Sequence, residues 1–247
     1  MLPLSEIYVN SIQDEVDAID RILSPQTHQI QSKSDKEMLW FYNSLQALGN
    51  FFIDEDLNAS KQHFYRCSRI DEYLIRNYDS RLLDSGMANI SYALLSDNLS
   101  LINRYAYLTH PWYTHTIKSG SLVHAVQNII KEDWVSLEND IATYERITAT
   151  QKGKINIADL MYFNGILKKD KSIVAEALFL LLKDHKKRNK HMGIAQDYIS
   201  IPALGYAKLS WLKGIEVDID HPLIPKELLP YQPLEKYEDK YDFLKEF

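Results

Sequence analysis

The chain is poor in the residues that staple a fold, make tight turns or span a bilayer. It holds one cysteine, Cys67, in 247 residues. That excludes an intrachain disulfide and any dependence of the fold on an oxidising compartment. Eight glycines are few for this length, which argues against a β-sandwich and for helices joined by short polar connections. The longest apolar run, Ala177–Leu182, falls far short of the roughly 20 residues that cross a membrane. The opening stretch MLPLSEIYVNSIQDEVDAID lacks a basic start and a long apolar centre, so it does not read as a signal peptide. A cytoplasmic protein without membrane association is expected. No G-x-S-x-G, H-E-x-x-H, P-loop or dinucleotide-binding pattern occurs, and no enzymatic activity is expected.

What is present is apolar content at helical spacing and an uneven charge. Residues 1–100 carry net −7, residues 101–215 net +6 and residues 216–247 net −5. Acidic ends disfavour nucleic acid and favour a basic protein partner. Ile7, Ile12, Val16, Ile19, Ile22 and Leu23 predict a first helix over 5–23, stopped by Pro25. Ser34 and Glu37 form a capping-box pattern for a second helix to about Ile53. A third runs from near Asn58 to Tyr78. Three later segments align on Asp97, Asp133 and Asp170, with Asp56 as a degenerate fourth copy. Each aspartate follows an apolar helix end and stands where it would cap the next helix.

This is the pattern of stacked helical hairpins. The expected fold is all-α: an array of antiparallel hairpins, a divergent tetratricopeptide-like superhelix or bundle, in one domain over 1–247. Pro111 and Gly120 mark 109–121 as an internal loop and candidate seam. Lys168–His191 is expected as one long helix with a basic end, stopped by Gly193. Tyr237, Tyr241 and Leu244 at i, i+4, i+7 suggest that the acidic tail 231–247 docks as a short helix.

Constellations with chemical potential are few. His110, His115, His124 and Asp133 fit no zinc spacing, and no metal or cofactor is expected. Cys67 has Arg66 and Arg69 nearby, but a buried structural cysteine is the commoner case. Asp14–Glu15, Asp54–Glu55 and Asp71–Glu72 are expected on exposed helix surfaces or turns, which does not suit acid/base chemistry. The basic run Lys183–His191 lacks interleaved aromatics and is a weak nucleic-acid footprint. Trp112 and Tyr113, beside Pro111, are candidate binding anchors, with pinning of the loop as the alternative.

The most structured stretch is ISIPALGYAKLSWLKGIEVDIDHPLIPKELLP, Ile199–Pro230. Ser200 and Pro202 open a helix there, Ala203, Gly205 and Ala207 keep it slim, and Gly214 ends it. Ile201-Pro202-Ala203-Leu204, Ala207, Trp211, Gly214, Val217, Ile219-Asp220, Pro222, Pro225 and Leu228-Leu229 together resemble the C-terminal signature of the immunity protein 49 family. Ile201 stands where that pattern has leucine. The family is helical and protects bacteria from contact-delivered or polymorphic toxins. The resemblance implies that this chain binds and neutralises a cognate toxin, and it leaves the toxin and the contact residues open. Charge and exposure select Asp54, Glu55, Asp56, Asp71, Glu72, Trp112 and Tyr113 as the toxin-binding candidates. The alternative is a helical-repeat scaffold for a host protein or peptide, and oligomeric state is not legible.

Overall fold

Apolar spacing along the chain becomes twelve α-helices and no strand among the described residues, 3–22, 32–188, 193–245 and 247, of the computed structural model. The first three are α1 (Leu4–Ile22), α2 (Lys33–Phe52) and α3 (Leu57–Tyr78). Then come α4 (Met87–Leu95), α5 (Leu99–Tyr105), α6 (Leu122–Lys131), α7 (Trp134–Thr148), α8 (Ile157–Lys168) and α9 (Lys171–Lys183). The last are α10 (His185–Arg188), α11 (Ile201–Leu212) and α12 (Asp242–Lys245). Leu23 and Pro25, and His191 of the basic run, lie outside the described residues.

Four connections share one device. Glu55, Asp97, Glu132 and Lys169 each take a left-handed backbone, with φ of 54°, 59°, 61° and 53°. The next residue, Asp56, Asn98, Asp133 or Asp170, is the N-cap of the following helix. Its side-chain oxygen accepts a backbone N–H of the first turn, as Asp133 does from Ser136 at 3.1 Å. One residue reverses the chain and the next satisfies the orphan donors of the helix. Asp97 is therefore not a cap, contrary to the alignment on aspartate: Asn98 takes that place and accepts from Leu101 N at 2.8 Å.

Asp97 has another use. It is fully buried between Lys61 Nζ at 2.9 Å and Lys208 Nζ at 2.6 Å, and both lysine side chains are buried too. The two ammonium groups donate onward to Gln232 O and Pro230 O, each at 2.7 Å. Gln232 N donates to the carboxylate of Asp97 at 3.2 Å. One carboxylate thus joins α3, α11 and the segment after it.

Three other boundaries differ from expectation. The second helix starts at Lys33 with Ser32 as N-cap and Asp35 closing the capping box, in place of Ser34 and Glu37. The long basic helix is broken at Asp184 into α9 and the single turn α10. The tail is extended, with only its last turn helical as α12. Tyr241 and Leu244 are still buried, in a small cluster with Leu39, Ile70 and Leu74.

The signature helix α11 packs closely on α4 at Gly205. A Cβ added to Gly205 would lie 1.9 Å from Ser91 Oγ and 2.9 Å from Met87 Cε, so only glycine fits. Ser200 stands at the N-cap without a side-chain cap bond, and its backbone N–H donates to Leu223 O at 2.9 Å. Gly214, at φ 75°, ends the helix. Trp211 Nε1 donates to Val217 O at 3.0 Å and pins the next stretch, where Val217 and Ile219 are buried and Asp218 and Asp220 exposed. One continuous cluster of buried apolar residues runs from Leu4 to Leu229.

Candidate functional site

The five candidate acids part company in the structure. Asp71 and Glu72, expected on the surface, are 2% and 1% exposed. Both lie on the inner side of α3, where its apolar residues also point. Asp71 accepts from Asn89 Nδ2 at 2.8 Å, and burial pushes its carboxyl up to about 7 against that bond. Glu72 is held by Arg69 at 2.8 Å, Arg104 at 2.9 Å and Arg76 at 3.5 Å. They are structural groups, unable to meet a partner. Glu15 is buried as well: Lys240 and Gln46 reach it at 2.9 and 2.8 Å, and the Tyr241 hydroxyl donates to it.

Asp54, Glu55 and Asp56 are exposed at the α2–α3 corner, and two of them have work within the fold. Asp54 accepts the Tyr8 hydroxyl at 2.6 Å, and burial together with Asp54 pushes that phenol up to about 12. Asp56 accepts from Ala59 N at 2.9 Å as the cap of α3. Glu55 alone of the five makes no side-chain hydrogen bond or ion pair among the described residues.

Trp112 and Tyr113 sit elsewhere. Trp112 N donates to Asp79 Oδ1 at 3.1 Å, and Asp79 is the C-cap of α3. The acid corner is at the other end of this 22-residue helix, about 33 Å away at 1.5 Å per residue. The sequence-selected residues therefore form two separate groups.

The group around Trp112 has the features of a site. Residues 106–121 between α5 and α6 hold no helix or strand, and loops of this length without structure of their own are commonly functional. Trp112 is 80% and Tyr113 48% exposed. The loop is nevertheless tied down. Arg81 stacks on the Tyr113 ring at 5.0 Å, Thr116 N donates to Tyr113 O at 3.0 Å, and Ser119 Oγ lies 3.1 Å from Thr143 Oγ1. Beside the loop opens a cleft of about 520 Å³, with Leu83, Val123 and Tyr144 below and Arg81, Asp84, His115 and Lys118 among its polar lining. Arg81 Nε donates to Asp84 at 2.5 Å. Asp84 Oδ1 is also 3.3 Å from Nε2 of the buried His110. Arg81 and Lys118 were not singled out in the sequence, where isolated basic residues between predicted helices carry no signal.

The remaining candidates are local. His124 Nδ1 is 2.8 Å from Asp140, which is fully buried and also accepts from Asn128 Nδ2 at 2.8 Å. This pair ties α6 to α7. His110, His115, His124 and Asp133 are not brought together, and among the described residues no group of three or more His, Cys, Asp or Glu is placed to hold a metal ion. Cys67 is buried, and burial raises its thiol well above the ordinary range, so it is no nucleophile at neutral pH. Lys183, Lys186, Lys187 and His221 line a second, shallow cleft of about 430 Å³. No helix among the described residues is long and apolar enough to cross a membrane.

No curated protein and no solved structure matches the chain. The family model of immunity protein 49 matches residues 54–228. The matched span begins at the α2–α3 corner and takes in Gly205, which packs α11 on α4, and Trp211, Gly214 and Val217, which end α11 and pin the stretch after it. The match covers well over half of the 247 residues, and the chain belongs to the immunity protein 49 family.

Proposed function

We propose that the chain binds and neutralises a cognate antibacterial toxin that acts in the cytoplasm, a nuclease being the favoured class, by covering the toxin's active site. Family membership over residues 54–228 carries this reading. The site geometry supports it: an exposed aromatic pair on a tied-down loop suits a protein partner. The chain is then a stoichiometric inhibitor with no turnover of its own. Its acidic ends would speed association with a basic toxin.

The test is co-expression with the toxin domain encoded beside this gene, scored by survival and by co-purification. Rescue together with a stable complex is the expected result. Undiminished toxicity in the presence of folded protein would overturn it.

A further inference from the structure

We propose that the cleft where α9 and α10 meet the segment after α11 is a binding site for a phosphate dianion, free or carried by a small organic molecule. The site stands apart from the immunity reading, and none of its residues is a candidate for contact with the toxin. The cleft measures about 430 Å³, and Lys183, Asp184, Lys186, Lys187 and His221 line it. That volume lies in the range of small-ligand sites.

The break after α9 sets the lysines out. Asp184 ends α9, and in the next turn the residues three apart, His185 and Arg188, share the inner face. His185 is buried, with Nε2 2.7 Å from Gln196 O. Arg188 donates to Ile155 O at 2.7 Å and to the buried Asp159 at 2.8 Å. Lys186 and Lys187, between these two anchors, are left exposed, as is Lys183. The dipole of α9 accounts for Lys183 in its last turn. It does not account for two further lysines beyond the break, nor for a fourth donor from another part of the chain.

That donor is His221. Its Nδ1 accepts the backbone N–H of Leu223 at 3.2 Å, so the neutral ring carries its proton on Nε2 and has a donor to offer. Lys183, Lys186 and Lys187 have no ion-pair partner among the described residues. Three ammonium groups against the one carboxylate, Asp184, leave the lining two positive charges in excess. A phosphate group carries about −1.5 to −2 at neutral pH and offers three strong acceptor oxygens. It cancels the excess and gives the donors charge-assisted bonds, whereas a carboxylate would cancel half. Nucleic acid is the poorer occupant, because it needs a track of cations and the chain as a whole carries net −6. Leu182 and Leu223 complete the lining and suit the carbon part of a phosphate ester.

The experiment titrates the full chain with inorganic phosphate, adenosine 5′-monophosphate and adenosine, by calorimetry and by thermal melting at fixed ionic strength. Both phosphates are expected to bind and to raise the melting temperature with concentration, and adenosine is not. Tighter binding of the monophosphate assigns an organic phosphate, and equal binding assigns the free ion. Lys186→Gln with Lys187→Gln is expected to weaken binding about tenfold, and His221→Ala about threefold. Lys118→Gln with Lys236→Gln removes the same charge elsewhere and should leave binding within about twofold. Melting without ligand checks that each variant folds. Phosphate binding that the Lys186, Lys187 and His221 changes leave unmoved would overturn the site. So would equal stabilisation by chloride at the same ionic strength, no binding of either phosphate, or tighter binding of a short DNA duplex.

Discussion

Burying two ammonium groups against a single carboxylate leaves Asp97, Lys61 and Lys208 with an excess positive charge inside the protein. Burial drives Lys208 down to about 8, with Asp97 pulling the other way. The two cations are tolerable because each also donates to a backbone carbonyl of the 230–232 segment. Removing the carboxylate leaves both lysines buried and unpaired. Asp97→Asn is therefore expected to cost about 3–5 kcal/mol. Lys208→Met keeps the Lys61–Asp97 pair and should cost clearly less. Urea unfolding of both variants at pH 7 checks the order, and equal losses would show that the excess charge does not matter. Lys208 stands alone as a charge within IPALGYAKLSWL, and that isolation was the one sequence sign of a buried cation.

Among the helices, the least expected arrangement is how the ends of the chain are fastened. The α1–α2 hairpin and the tail both lie outside the family match, and they hold each other. Glu15 on α1 takes Lys240 and Tyr241 from the tail, and Asn43 on α2 donates to the Tyr241 hydroxyl. Arg69 on α3 reaches Asp239 at 3.2 Å and Leu244 O at 2.9 Å. Burial alone would raise the Glu15 carboxyl, and the bonds from Lys240, Tyr241 and Gln46 outweigh it and lower it. Tyr241→Phe deletes the hydroxyl between Glu15 and Asn43, and is expected to cost about 1–3 kcal/mol. A thermal melt reports it, and a change near zero would mean that the tail is held by its apolar residues alone.

How much of this was legible differs by element. Helices α2 and α3, the cap residues Asp56, Asp133 and Asp170, and the slim face of α11 followed from spacing and local chemistry. The tail misled because Tyr237, Tyr241 and Leu244 also suit a helical face. So short a helix is marginal in water. In its place the extended backbone bonds to side chains of α3, with Gln62 Nε2 donating to Glu238 O at 2.9 Å. Asp97 misled by one residue, since Asp and Asn both cap and both tolerate a left-handed backbone. Of the candidate site residues, Trp112 and Tyr113 were selected as large aromatics beside a proline, and the fold leaves both exposed. The burial of Asp71 and Glu72 depends on helices that arrive later in the chain, and no local pattern reports that.

At the scale of the whole molecule, two buried groups on α3 set opposing responses to acid. Asn43 Nδ2 donates to Leu39 O and to Tyr241, so its Oδ1 accepts from His63 Nδ1 at 2.9 Å. Burial lowers His63 from 6.5 to about 3 and raises Asp71 from 3.8 to about 7. A depressed histidine contributes stability above pH 6.5 that is lost as the pH falls towards 3. A raised aspartate contributes stability below about pH 4 that is lost as the pH rises through 7. Over pH 4–6.5 the two slopes oppose, each amounting to about 4–5 kcal/mol across its whole window. Asp71→Asn is expected to reveal a steep loss on acidification, and His63→Gln a gain from pH 7 to pH 4. Urea midpoints at four pH values decide it, and two parallel profiles would refute the opposition.

The packing of Gly205 on Ser91 has a consequence for how the protein is made. Hairpins such as α2–α3 and α8–α9 join neighbours in sequence and can close as they leave the ribosome. Helix α4 ends at Leu95, and its partner α11 begins at Ile201, so that pairing waits for most of the chain to be translated. At roughly 5–20 residues per second, a half-made molecule keeps its α4 groove open for several seconds.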